Sequence, residues 1–102
     1  MYKAVVSLHG NPIVESAHLP DGRNVQIRVG MADDPYIADR DTNTVVLEVR
    51  IGHAVVAVVD TVLDARQVDE ARHLATRVRE GLSSGSLEPT VHSLEPLADA
   101  VL

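Results

Sequence analysis

Apolar and polar residues alternate cleanly over residues 23–29, with Val25, Ile27 and Val29 on one side and Asn24, Gln26 and Arg28 on the other. That period of two is the pattern of a half-buried strand. The same reading predicts a strand at residues 2–9, with Tyr2, Ala4, Val6 and Leu8 on one side, and a weaker one at 13–19. Gly10-Asn11-Pro12 separates these two. Pro20-Asp21-Gly22 is a turn in which Pro presets φ and Gly accepts a positive one. Residues 30–43 are acidic and broken by Pro35, which predicts a long loop. Strands are predicted again at 44–51 and 54–62, joined through Gly52-His53 as a two-residue hairpin turn.

An unbroken hairpin ladder would set Ile51 against Ala54, Val49 against Val56, Leu47 against Val58 and Val45 against Asp60. Directly opposed residues share a face, so this nearly all-apolar set is expected to face the core. The other face would then pair Arg50 with Val55, Glu48 with Ala57, Val46 with Val59 and Thr44 with Thr61. Strand 54–62 is therefore apolar on both faces, and its second face needs a cover.

From residue 64 the period changes to that of a helix. Val68, Ala71, Leu74, Ala75, Val78 and Leu82 form a stripe. Asp64 with Gln67 three residues on has the form of a capping box, and Leu63 with Val68 that of a hydrophobic staple. Arg77 and Arg79 fall in the expected last turns, where the helix dipole favours cations, and Gly81 is a natural stop. A helix over 64–82 follows. The remainder, 83–102, carries Ser-Leu-Glu-Pro twice, and its second copy predicts a short helix at 96–102 with Pro96 near its first position. Leu87, Val91, Leu94, Leu97 and Val101 favour a tail that packs on its own domain over one that docks elsewhere.

Together these elements predict an α+β domain over 1–82. Its antiparallel meander sheet has four or five strands, with one long helix across one face and a C-terminal tail behind it. Composition narrows the core: the 102 residues include no Phe, no Trp and two Tyr, so Val, Leu, Ile and Ala must fill it. No cysteine is present, which leaves no disulfide or thiolate chemistry and fits a cytoplasmic location. No stretch has the length of a membrane span, and the first residues lack the apolar segment of a signal peptide. The net charge is −6. Nucleic-acid binding needs cations to displace counterions and commonly uses aromatic platforms, and both are scarce here.

The candidate chemistry is thin. Gly81-Leu82-Ser83-Ser84-Gly85 matches G-x-S-x-G, but a nucleophile elbow sits between a strand and a helix. This copy follows a helix, and Asp99 comes after His92, the reverse of the usual acid-then-histidine order. Glu70-x-x-His73 is half of a di-metal pattern whose other ligands are missing, so Glu70 is expected to pair with Arg66 on the solvent face. Asp39-x-Asp41-x-Asn43 opens like a calcium loop, yet Thr44 and Arg50 stand where such a loop needs Gly and Glu. It reads as a solvated acidic loop within 33–43. His53 lies in a hairpin turn without an identifiable companion acid. No catalytic residue, metal ligand or cofactor is assigned from these motifs.

The function expected is therefore a non-enzymatic, self-associating binding or regulatory module, a homodimer with a further protein partner as an option. Its interface is expected at Val46, Val55, Ala57 and Val59, rimmed by Arg50 and Glu48, because a two-fold dimer is the common cover for such a patch. The alternative is a small enzyme or ligand-binding protein with a site near the sheet–helix or subunit interface. A cavity lined by both a histidine and a carboxylate would favour that alternative.

Overall fold

The computed structural model describes residues 7–31 and 44–100. Its element order is β1 (Ile13–His18), β2 (Asn24–Met31), β3 (Val45–Ile51), β4 (Ala54–Asp60), α1 (Val68–Ser84) and α2 (Val91–Asp99). The strands form one antiparallel sheet in the order β1-β2-β3-β4, the predicted α+β meander. Of the strand expected at 2–9, residues 7–9 are described. They form a bend tied down by the Leu8 N–H to the Ala65 carbonyl at 2.8 Å, with Leu8 buried. The acidic segment that holds Asp39, Asp41 and Asn43 lies outside the described residues. No described helix is long and apolar enough to cross a membrane.

The two turns behave as their sequences require. Gly22 has φ 93°, and the carboxylate of Asp21 accepts the Arg23 backbone N–H at 3.0 Å. That hydrogen bond, reinforced by the Arg23 guanidinium, holds the Asp21 carboxyl below its ordinary range. Gly52 has φ 61° and His53 does not share the positive φ, which identifies a type II′ turn.

Past that turn the predicted register fails. Arg50 pairs with Val55, but Val49 pairs with Ala57, so Val56 is an extra residue without a partner on β3. This β-bulge inverts every β4 side chain beyond it. Ala57 and Val59, expected on the outer face, are core residues at 4% and 3% exposure. Val56 and Val58, expected under the helix, are exposed, Val58 at 50%. Leu47 and Val49 do face the core, and Glu48 and Arg50 do face away from it.

Helix α1 begins at Val68, four residues later than predicted. The capping-box contacts form, but they close a separate turn. Gln67 Oε1 accepts the Asp64 N–H at 2.9 Å and Asp64 Oδ1 accepts the Arg66 N–H at 2.8 Å, while Gln67, at φ −83° and ψ 58°, interrupts the helix. At its other end α1 runs through Gly81 to Ser84 and stops at Gly85, φ 83°. Arg77 and Arg79 are consequently not in the last turn, and Arg79 instead reaches Glu15 on β1 at 3.3 Å.

Gly81 has a packing role. A Cβ there would stand 2.6 Å from Leu87 Cγ, and the Leu87 N–H donates to the Gly81 carbonyl at 3.0 Å. This close approach folds the chain back after α1. Helix α2 then starts at Val91, not 96, because Thr90 caps it: its hydroxyl accepts the Ser93 N–H at 3.2 Å. Pro96 falls inside the helix. Helix α1 lies over β1 and β2, and α2 lies over β4. Leu94 and Ala98 join the same core as Leu74, Val78, Ala57 and Val59. Two helices thus share one sheet face.

Two stability measurements check this arrangement. By chemical denaturation, Val59→Ala is expected to cost about 1–3 kcal/mol, as for methyl groups lost from a packed site, and Val58→Ala close to nothing. Gly81→Ala should raise helix propensity by about 1 kcal/mol. It is nevertheless expected to lower the melting temperature, because the whole Leu87 side chain must move, at a typical overpacking cost of about 1–3 kcal/mol.

Candidate functional site

Both helices lie on the inner face, so no described helix covers the outer face of the sheet; its Gly30–Val46 end is closed, with Val46 at 8% exposure and Pro12 against Gly30. Its side chains follow from the register. One cross-strand row runs Val14–Arg28–Glu48–Val58 from β1 to β4. Toward the hairpin turn the next row is Ser16–Gln26–Arg50–Val55, and toward the other end Gly30 opposes Val46, which opposes Asp60.

The charged centre of this face is organised. Glu48 Oε1 accepts from Arg50 Nε at 2.7 Å, and Glu48 Oε2 lies 3.8 Å from an Arg28 guanidinium nitrogen. The Glu48 side chain is 14% exposed, whereas Arg28 and Arg50 are more open. Pairs this close to solvent are worth at most about 1 kcal/mol each, so their importance lies in what they match. Gly30 makes room for one of them. A Cβ at Gly30 would be 2.9 Å from Pro12 Cβ and 3.3 Å from Arg28 Cζ, so the guanidinium rests where a side chain would otherwise stand.

Around that centre stand exposed valines together with the exposed polar residues Ser16, Gln26 and Asp60. Val14, Val55, Val56 and Val58 are between 39% and 50% exposed, and Val62 follows β4 at 50%. Of the interface residues expected from sequence, Val55, Arg50 and Glu48 lie on this face, and Val46 lies on it at 8% exposure. Ala57 and Val59 do not, because the bulge turns them inward. Sequence reasoning missed Val14, Arg28, Val56 and Val58. The clean alternation of residues 24–29 already placed Arg28 outward, and pairing β2 with β3 would have set it beside Glu48.

The other candidates are dispersed. His53 is exposed in its turn. Arg66 precedes α1 and does not pair with Glu70; the ion pair on that part of the helix is Asp69 with Arg72 at 3.6 Å. Ser83 lies in the last helical turn, with no strand before it. Among the described residues no three of His, Asp and Glu gather as a metal site. An open groove of about 400 Å³ lies where α1 meets α2, against Arg77, Ser84, Ser86 and Leu97, and a second of about 620 Å³ lies at the start of α1. Neither is lined by a histidine.

Among the described residues this geometry defines a four-stranded α+β domain with both helices on one face and a mixed valine and arginine–glutamate face on the other. Comparison with protein-family models, with curated proteins and with solved structures finds no match to this chain.

The Gly30 contact gives a test of the face itself. Gly30→Ala is expected to press on Pro12 and shift the Arg28 guanidinium, and to destabilise by about 1 kcal/mol or more, the low end of overpacking costs. Denaturation midpoints would show it. A stabilised variant would mean that neither Pro12 nor the guanidinium holds that space.

Proposed function

We propose that the protein is a non-enzymatic binding or regulatory module that associates with itself through the outer face of its sheet. The observation that carries this reading is the concentration of half-exposed valines, Val14, Val55, Val56 and Val58, around an internally paired charged centre. Apolar surface left in water is unfavourable by about 25 cal/mol per Å². Val55, Val56 and Val58 stand together on β4 with Val14 at the opposite edge, and exposed apolar patches on soluble chains commonly mark association surfaces. A second copy is the economical cover, since closed two-fold dimers are the commonest oligomers.

The size of the face sets the strength. Four strands about 4.8 Å apart, over seven residues at about 3.3 Å each, make a face of about 450 Å² in projection. Two such faces bury about 900 Å², below the ~1,200–2,000 Å² of stable specific interfaces and in the range of weak, transient ones. The dimer is therefore expected to be reversible and concentration-dependent rather than obligate.

Sedimentation equilibrium from low micromolar to millimolar concentration tests the reading. The mass should rise from that of one chain toward that of two. Val58→Asp or Val55→Asp should hold it at one chain with the melting temperature nearly unchanged, because both side chains are already in solvent. A wild-type mass that stays at one chain throughout would refute the proposal.

A further inference from the structure

The row Val14–Arg28–Glu48–Val58 reads the same when two copies meet in reverse order. From the β1 edge it is apolar, positive, negative, apolar. Laid against its own reversed copy, each valine meets a valine, each arginine a glutamate and each glutamate an arginine. The next row toward the hairpin turn, Ser16–Gln26–Arg50–Val55, adds no like-charge contact under the same reversal, since it sets Ser16 against Val55 and Gln26 against Arg50.

From this self-complementarity we infer that two copies pack sheet on sheet about a two-fold axis that runs along the strands, between β2 and β3. This inference rests on the self-association proposed above and adds its geometry. The operation exchanges β1 with β4 and β2 with β3, and it keeps strand directions aligned, as face-packed sheets do within about 30°. The alternative two-fold, at right angles to the strands, keeps each strand over its own copy. With its axis along this row it would set Arg28 against Arg28 and Glu48 against Glu48, and juxtaposed like charges oppose docking; an axis one residue toward the hairpin would match Glu48 with Arg50 but leave Arg28 against Gln26. Edge-to-edge pairing of β4 would leave the Val14 side of the face in water.

The choice of occupant follows from charge. The whole chain carries −6, so two copies repel at long range. The outer face offers Arg28 and Arg50 against Glu48 and Asp60, which places balanced charge where the copies would touch. A second copy thus meets a matched surface here, and carboxylate-rich surface elsewhere.

Charge reversal in separate chains tests the axis. Arg28→Glu and Glu48→Arg should each abolish self-association, because each sets like charges against each other twice across the axis. An equimolar mixture of the two variants should form the heterodimer, with a dissociation constant at least ten-fold below that of either variant alone. Mixing leaves the repulsion within each chain unchanged, so a recovered dimer reports contacts between chains.

Should either reversal unfold the chain, single cysteines give the same answer at half-exposed positions, in a protein with no cysteine of its own. A mixture of Val14→Cys and Val58→Cys should be joined by a short bismaleimide. Val58→Cys alone should not, since its two copies would stand three strand spacings apart laterally and one sheet spacing apart in depth, ~17 Å in all. A wild-type dimer whose mixed reversal variants stay monomeric, or whose Val58→Cys chains cross-link to each other, overturns this axis while leaving self-association standing. A wild type that is monomeric at millimolar concentration overturns both.

Discussion

One extra residue in β4 decides which half of this sheet is core. Val56 has no partner on β3, and the ladder resumes one position out of step. Because strand side chains alternate with a period of two, a single insertion exchanges the two faces for the rest of the strand. Ala57 and Val59 go under α2, and Val58 goes out beside Glu48. The small and medium side chains of β4 make this possible, since either face of the strand is apolar enough to bury. What the bulge selects is a fit: Ala57 gives α2 room to lie over β4, with Leu94 and Ala98 completing the same core.

The C-terminal segment is part of that fit. Helix α1 alone lies over β1 and β2, and β4 would be bare on its inner side without α2. The chain brings α2 there by three local devices. Gly85 ends α1, Gly81 admits Leu87 against the helix, and Thr90 starts the next one. Both helices therefore serve the same side of the sheet. Tertiary packing of apolar faces, more than helix propensity, supports such short helices.

Much of this was legible in the residues. The strict alternation of 24–29, the Pro20-Asp21-Gly22 and Gly52-His53 turns and the stripe from Val68 to Leu82 placed the meander and its long helix. The departures have identifiable causes. The run from Ala54 to Val59 contains no polar residue to mark a face, so an unbroken ladder and a bulged one look alike in sequence. Gly81 has the form of a helix stop, and only its contact with Leu87 shows that it is a packing position inside the helix. Thr90 is a good N-cap, but Pro96 draws the expected start of α2 downstream. The candidate face was half legible: Glu48, Arg50, Val46 and Val55 follow from the hairpin alone. Arg28, Val14 and Val58 required the register of the whole sheet.

The functional account rests on that register, because the matched row across the sheet exists only with Val58, and not Val59, beside Glu48. Methyl-resolved NMR on a mixture of isotopically labelled and unlabelled chains at millimolar concentration examines it at the level of single side chains. Isotope-filtered spectra should show contacts between chains from Val14 methyls to Val58 methyls, with Val59 methyls seeing only core side chains of their own chain, such as Leu47. Contacts between chains at Val59, or none at Val14 and Val58, would contradict the account.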